Sequence, residues 1–162
     1  MNKLKIILPA IAGGLLLITL TVSIVLFKVD ENKWHPYVMF FPKFTNPEEV
    51  DGEIRKIRLQ DEDAENIERF VAELALGPAD LRYLRIIPRG TKVNSVMYRE
   101  GRLFIDFSYG LLFSEERNPL TLGERFELFT RSLRENFPDL GEIVYTVNGE
   151  VPFDFMPSPA DN

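Results

Sequence analysis

The segment LFIDFSYG, residues 103–110, places an aspartate and a serine two positions apart on a predicted strand. A serine nucleophile needs a base within hydrogen-bonding reach and a third group that orients the base. The single histidine, His35, lies in a connector that is poorly placed to reach the middle of a sheet. Lys92 begins the opposite predicted strand and is the nearest other base for Ser108. An envelope hydrolase that uses Ser108 with Lys92 is therefore one hypothesis.

The residues around Ser108 favour a structural role instead. They contain no nucleophile-elbow pattern, and no glycine-rich stretch is available to form an oxyanion hole. Asp106 and Ser108 lie where the predicted strand leaves the sheet, and short polar side chains at such positions commonly hydrogen-bond to nearby backbone. We assign no catalytic residue and predict a protein that is not an enzyme.

Metal and cofactor sites find little support in the composition. One histidine and no cysteine leave only carboxylates as strong metal ligands. The acidic run DEDAE, residues 61–65, lacks the spacing of a calcium loop, and acids at a helix start are stabilised by the helix dipole. No phosphate-binding or dinucleotide fingerprint is present. We predict no metal and no cofactor.

A basic cluster stands out in this acidic chain. It consists of Arg82, Arg85 and Arg89 together with Tyr83. These residues are a candidate contact surface for an acidic partner or for the phosphate-rich cell wall. The alternative is a solvated crossover segment without a partner.

The N-terminal region contains a 22-residue run without charge, residues 6–27. About 20 apolar residues in a helix cross a hydrocarbon layer of about 30 Å. The apolar region of a cleaved signal peptide is shorter, about 7–15 residues, and ends at a small-residue cleavage site that is missing here. The run therefore predicts an uncleaved transmembrane signal anchor, with cleavage as the alternative.

The charges around this run predict its orientation. Residues 1–5 carry Lys3, Lys5 and the amino terminus, whereas the charges after the run are of both signs. The positive-inside rule places residues 1–5 in the cytoplasm and the rest of the chain outside it.

The part of the chain after the run is strongly acidic. Residues 1–28 hold three of the 19 basic and none of the 25 acidic side chains, so residues 29–162 have a formal charge of −9. Such a domain repels phosphate backbones, and we predict no nucleic acid partner.

Hydrophobic patterns predict an α+β domain of order β-β-α-β-β-α-β. The strands are predicted at residues 37–41, 54–59, 92–99, 102–108 and 143–147, with a short partner for the last strand at 151–155. We expect one mixed or antiparallel sheet with both helices on one face, preceded by the transmembrane helix.

Each helix has a recognisable apolar stripe. The first stripe is formed by Ile67, Phe70, Val71 and Leu74, and Gly77-Pro78 is the predicted stop. The second is formed by Leu122, Phe126, Phe129 and Leu133, and Thr121 with Glu124 is predicted to form a capping box at its start.

These patterns divide the chain into five parts. They are the cytoplasmic N-terminus at 1–5, the anchor at 6–27, a linker at 28–36, a folded domain at 37–155 and a flexible tail at 156–162.

The folded domain resembles a known family. The segments VAELALGP, IIPRGTKVNSVMYREGRLFIDFS and EIVYTVNGE occur in the order found in the GerMN domain of sporulation and spore germination proteins. The resemblance runs from Tyr37 to Val151. The matching signature positions, which we expect to be structural, are Gly77, Pro78, Pro88, Gly90, Thr91, Asp106, Phe107, Ser108 and Gly149.

The resemblance implies a non-catalytic, extracytoplasmic α/β module of the bacterial envelope, similar to ring-building motifs of secretion assemblies. The expected location is the bacterial inner membrane, with the domain on the periplasmic side. The expected partner is an envelope protein or peptidoglycan, with homo-oligomer formation as a further option. The chain has one copy of the domain behind a helix, whereas the sporulation protein has tandem copies behind a lipid anchor, so the resemblance does not imply a role in spores.

Overall fold

The computed structural model describes residues 2–31, 33–113 and 118–152, with the side chains of 2–11 and 29–31 left out of the description. The chain divides into two compact units, Met1–His35 and Pro36–Asn162.

The first unit consists of helix α1, Asn2–Glu31. Within the described part of the chain, no helix was found with the length and apolar character that a membrane span requires. The side chains of residues 6–11, which belong to the predicted anchor, lie outside the described residues.

The remaining elements give an α+β fold, as predicted. They are β1 (Trp34–Pro42), β2 (Val50–Arg58), α2 (Asp63–Leu76), β3 (Val93–Arg99), β4 (Arg102–Phe107), a 3-10 helix (Tyr109–Leu112), α3 (Leu122–Asn136) and β5 (Ile143–Val147). The 3-10 helix was not predicted, so the observed order differs there. Of the predicted partner strand at 151–155, Val151 and Pro152 are not in a strand, and residues 153–155 lie outside the described residues.

The strands form two sheets rather than the single predicted sheet. One sheet contains β1 and β2, and the other has the order β3-β4-β5. β3 runs antiparallel to β4, and β4 runs parallel to β5. The seven-residue connection from 43 to 49 is too short for a parallel crossover, so β1 and β2 are antiparallel.

The separation of the two sheets has a physical cause at one edge of β1. Asn136 Oδ1 accepts from the Val38 amide at 2.8 Å, and Asn136 Nδ2 donates to the Val38 carbonyl at 2.6 Å. Ser132 Oγ accepts from the Phe40 amide at 3.0 Å. Side chains of α3 thus take the positions that a neighbouring strand would occupy, and the prediction of one continuous sheet was wrong.

The predicted apolar stripe of α2 and the predicted capping box of α3 are both present. All four residues of the α2 stripe are buried. At the start of α3, Thr121 Oγ1 accepts from the Glu124 amide at 3.3 Å and Glu124 Oε2 accepts from the Thr121 amide at 2.7 Å, which confirms the capping box. Phe126 and Phe129 of α3 pack against Phe107 of β4, so α3 covers the buried face of the three-stranded sheet.

The second unit has a core of its own. The buried apolar side chains of the described residues all lie between Tyr37 and Val147. No buried apolar side chain of the described residues precedes Tyr37, and we expect residues 36–162 to fold in isolation.

Candidate functional site

Ser108 is bonded to the main chain of Lys92 rather than to its amine. Ser108 Oγ accepts from the Lys92 amide at 2.9 Å, and the Ser108 amide donates to the Lys92 carbonyl at 2.9 Å. The pair closes the ladder between β3 and β4 next to an irregular register at Val93 and Ser95. In the described part of the chain, no hydrogen bond joins the Lys92 ammonium to Ser108, and the contact of Ser108 with Lys92 is to the main chain.

Replacing Ser108 by alanine should therefore lower the free energy of unfolding by about 1 kcal/mol, because one backbone amide loses its acceptor. Lys92→Ala keeps both main-chain bonds and should change stability by less than about 0.5 kcal/mol. Urea unfolding of residues 36–162 measures both values. A catalytic pair would behave differently: a fluorophosphonate probe would label the wild type, and either substitution would abolish labelling without affecting stability.

Asp106 joins three parts of the fold. Its Oδ1 accepts from the Thr146 hydroxyl at 2.7 Å and from the Gly149 amide at 2.8 Å, and its Oδ2 accepts from Asn94 Nδ2 at 2.8 Å. Partial burial raises the pKa of this carboxyl, but the hydrogen bonds from Thr146, Gly149 and Asn94 outweigh it and hold the pKa below its usual value. An ionised Asp106 thus connects β3, β4 and β5.

The turn that supplies Gly149 has the backbone that its sequence predicts. Asn148 has φ 48° and Gly149 has φ 82°, and the main chains of Val147 and Glu150 exchange two hydrogen bonds. Positive φ at both central positions is typical of the two-residue hairpin turn favoured by Asn-Gly. The turn aims the Gly149 amide at Asp106.

Helix α2 ends at Gly77, where both the backbone conformation and a close contact with Arg85 require a glycine. Gly77 has φ 84° and ψ −176°, a region open essentially only to glycine and different from the expected left-handed helical cap. A Cβ at this position would lie 2.8 Å from Nη1 of Arg85. Pro78 follows and cannot continue the helix.

The other signature residues form a turn against the 3-10 helix. The Thr91 amide donates to the Pro88 carbonyl at 3.2 Å, and Gly90 has φ 84°. A Cβ on Gly110 would lie 2.9 Å from the Thr91 Cα, so this turn and the 3-10 helix approach each other at the backbone. This close approach at Gly110 was not predicted. The position of the pair Tyr109-Gly110 directly after Asp-Phe-Ser could have indicated it.

A half-buried ion network fixes the segment after α2. The Arg55 guanidinium binds Glu53 at 2.6 Å and Glu73 at 3.1 Å, and it also donates to the Gly77 carbonyl at 3.0 Å. The Glu53 carboxylate accepts from the Ala79 amide at 3.0 Å. This network was not predicted, because the apolar Ile54 between Glu53 and Arg55 indicates the opposite face of β2 as the buried one.

The segment held by this network presents Leu81 to solvent. The Asp80 carboxylate accepts from the Arg82 amide at 2.9 Å and binds the Arg82 guanidinium at 2.6 and 2.8 Å. These bonds bracket Leu81, whose side chain is 90% exposed, the highest value among the large apolar residues that the structure describes. A loop with hydrogen bonds on both sides of Leu81 therefore displays this leucine to water.

Leu81 lies at a cavity next to the place where residues 42–44 pair with residues 82–84. The Phe44 amide donates to the Arg82 carbonyl at 2.7 Å, and the Leu84 amide donates to the Pro42 carbonyl at 2.8 Å. A cavity of about 330 Å³ lies beside this pairing, and its lining residues are Lys43, Phe44, Thr45, Asp51, Leu81, Arg82 and Tyr83. Phe44 is 51% exposed. We call these seven residues the Leu81 surface.

The residues of the predicted basic cluster line two adjacent cavities. Arg82 lines the cavity of the Leu81 surface, Arg85 and Arg89 line a second cavity of about 300 Å³, and Tyr83 lines both. The Arg85 guanidinium donates to the carbonyls of Ala75 and Ile87 at 3.3 Å, so Arg85 holds the end of α2. Among the residues that the structure describes, no group of three or more His, Asp or Glu side chains is placed to hold a metal ion.

Solved structures that are similar to this chain include two of GerMN domains. The tandem GerMN domains of the sporulation protein GerM from Bacillus subtilis align with a TM-score of 0.52 and 21% identity, over 74% of this chain and 40% of that chain. The first GerMN domain of the same protein aligns with a TM-score of 0.48 and 14% identity, over 73% of this chain and 86% of that chain. No curated protein matches the chain.

The family itself follows from a match to a family model. The model described as Germane, sporulation and spore germination, matches residues 38–151. This range confirms the resemblance from Tyr37 to Val151 and exceeds half of the 162-residue chain. The protein therefore belongs to the Germane family.

Proposed function

We propose that this protein is a non-catalytic binding module that α1 tethers to the bacterial inner membrane, with residues 36–162 on the extracytoplasmic side. The uncharged run at 6–27 and the lysines before it support the tether and its orientation. The hydrogen bonding of Ser108 and Asp106 supports a structural rather than a catalytic use of the only Asp-x-Ser segment. The module acts in envelope or cell-wall-associated complexes.

The exposure of Leu81 carries the proposal of a binding role. Burying a leucine side chain is worth about 1.5–3 kcal/mol, so a fully solvated leucine forgoes that stabilisation in the free protein. A loose loop would display such a residue by chance, but Glu53, Asp80 and Arg82 fix this loop with charge-assisted hydrogen bonds. A partner that covers Leu81 buries this apolar area, and its binding free energy is not reduced by the cost of ordering the loop.

The chemistry of the Leu81 surface fits a protein partner. Leu81, Phe44 and Tyr83 supply apolar and aromatic area, and Arg82, 81% exposed at its side chain, supplies a guanidinium at the rim. Aromatic and arginine side chains around an apolar centre are typical of protein–protein hot spots. The convex shape of Leu81 suits a concave apolar pocket on the partner better than it suits a polysaccharide chain.

Photo-crosslinking in living cells tests this function. A photoreactive residue at position 81 of the full chain should give a discrete higher-mass adduct, whereas the same residue at Met97, 56% exposed on the three-stranded sheet, should give none or far less. Protease added to spheroplasts should remove residues 36–162 and leave the N-terminal segment. Equal crosslinking at both positions would contradict the Leu81 surface, and protection from protease would contradict the extracytoplasmic location.

A further inference from the structure

We propose that the Leu81 surface binds a second copy of this chain, in a two-fold symmetric dimer in which each Leu81 enters the cavity of the other copy. The inference rests on the proposed function, because it names the partner of that same surface. It is argued from a protruding side chain beside a recess, from charges of both signs, and from the tethering of the copies to one membrane.

The shape of the surface is complementary to itself. A two-fold interface brings the same patch of two copies together, so it needs a protrusion and a recess side by side. Leu81 protrudes and is also one of the residues that line a cavity of about 330 Å³, in which Phe44 and Tyr83 supply the aromatic side chains. Each copy thus offers an apolar protrusion beside a recess that contains two aromatic residues.

The charges of the surface also suit a second copy. Residues 29–162 carry a formal charge of −9, so two copies repel each other over most orientations. The Leu81 surface carries both signs, because Lys43 and Arg82 lie on it with Asp51, and Asp80 borders it through its ion pair with Arg82. Arg82 is far more exposed than its partner Asp80, and Asp51 is half exposed, so Arg82 of one copy has an accessible carboxylate to meet on the other.

Tethering to one membrane makes a weak interface sufficient. Anchoring both copies in the same bilayer raises their effective concentration, so association that is weak in solution becomes substantial at the membrane. A single leucine with its aromatic surroundings corresponds to a small interface, for which affinities in the micromolar range or weaker are common. We therefore expect a dimer of residues 36–162 only at high concentration in solution.

Sedimentation velocity of residues 36–162, from about 10 µM to about 1 mM, tests the inference over the range in which such a Kd is measurable. The wild type should change from monomer to dimer across this range. Leu81→Asp should weaken dimerisation at least about tenfold, the size expected for a hot-spot residue. Met97→Asp, at an exposed apolar position on the other sheet, should dimerise like the wild type. Leu81→Ser serves as a second variant, and melting temperatures equal to that of the wild type show that both variants fold.

A charge exchange tests the orientation of the two copies. Arg82→Glu alone should weaken the dimer, because carboxylates then face each other, and adding Asp51→Arg should restore part of the loss.

Dimerisation of Leu81→Asp at the wild-type level, or a wild type that stays monomeric at about 1 mM, would overturn the inference. If the crosslink at position 81 in cells then leads to a different protein, the proposed function stands without the dimer. If position 81 crosslinks to nothing, both fail.

Discussion

Replacing Phe107 by alanine should lower the free energy of unfolding of residues 36–162 by about 3–5 kcal/mol, the usual cost of removing a buried phenylalanine. Phe107 is fully buried on β4, and its ring lies 5.7 Å from that of Phe129, 6.4 Å from that of Phe126 and 6.5 Å from that of Tyr145. These three rings come from α3 and β5, so no single neighbour can move to fill the space. For a domain whose total stability is about 5–15 kcal/mol, the loss is a large fraction.

The neighbouring residue Phe104 provides a matched control. It lies on the same strand but on the opposite face, where it is 37% exposed and pairs with Met97 and Val144. Phe104→Ala should cost less, about 1–2 kcal/mol, because more than a third of the side chain is already exposed and its removal leaves no enclosed cavity. Urea unfolding followed by circular dichroism gives both values. Equal losses for the two variants would show that the buried face of the sheet is not the one that Phe107 occupies.

The contrast between Phe107 and Phe104 also shows which parts of the fold the sequence predicts. Elements with strong local signals were predicted well: the stripe of α2, the capping box of α3 and the bounds of β5 depend on residues within a few positions of each other. The face of β4 was left open, because aromatic residues occur on both of its faces and alternation alone does not identify the buried one.

Features that depend on distant residues were not predictable. The division into two sheets follows from Asn136 and Ser132, which bond to β1 across more than 90 positions of sequence. Polar residues of these types in a helix normally indicate a solvated face, so the sequence carries no signal for this contact. The single-sheet prediction failed for that reason.

The candidate contact surface was recognised only in part. Arg82 and Tyr83 were singled out because they form a basic and aromatic cluster in the sequence. Phe44 joins them through the pairing of residues 42–44 with 82–84, which lie about forty positions apart. Leu81 resembles any other apolar residue in the sequence, and only its surroundings make it exposed.

Asp106 provides the second large effect, and this effect depends on pH. Asp106→Ala should lower the free energy of unfolding at pH 7 by about 2–3 kcal/mol, since the Thr146 hydroxyl, the Asn94 amide and the Gly149 amide all lose an ionised acceptor. Asp106→Asn keeps the shape of the side chain. It replaces the two carboxylate oxygens by one neutral oxygen acceptor and one NH₂ group, which cannot accept from the donors that face Asp106. We expect it to lose nearly as much.

The sign of the pH dependence follows from the lowered pKa of Asp106. The folded protein holds this carboxyl ionised below the unfolded pKa of 3.8, so the unfolded chain binds the proton more readily. The stabilisation is therefore fully present above pH 3.8 and is lost as the pH falls through the lower pKa of the folded state. Asp106→Asn has no proton to bind at this position. The difference in unfolding free energy between wild type and Asp106→Asn should thus be constant above about pH 5 and shrink below pH 3.8.

Urea midpoints of residues 36–162 between about pH 2.5 and pH 7 measure this difference over the range in which carboxyl groups titrate. Asp139→Asn, at an exposed position outside the sheet, is the matched control and should follow the wild type throughout. A difference between wild type and Asp106→Asn that stays the same down to the lowest pH would mean that protonation of Asp106 does not weaken these hydrogen bonds and that its charge contributes nothing. A difference that shrinks as expected would mean that the hydrogen bonds at the end of β4 depend on an ionised carboxylate, which is the reason an aspartate rather than an asparagine suits this position.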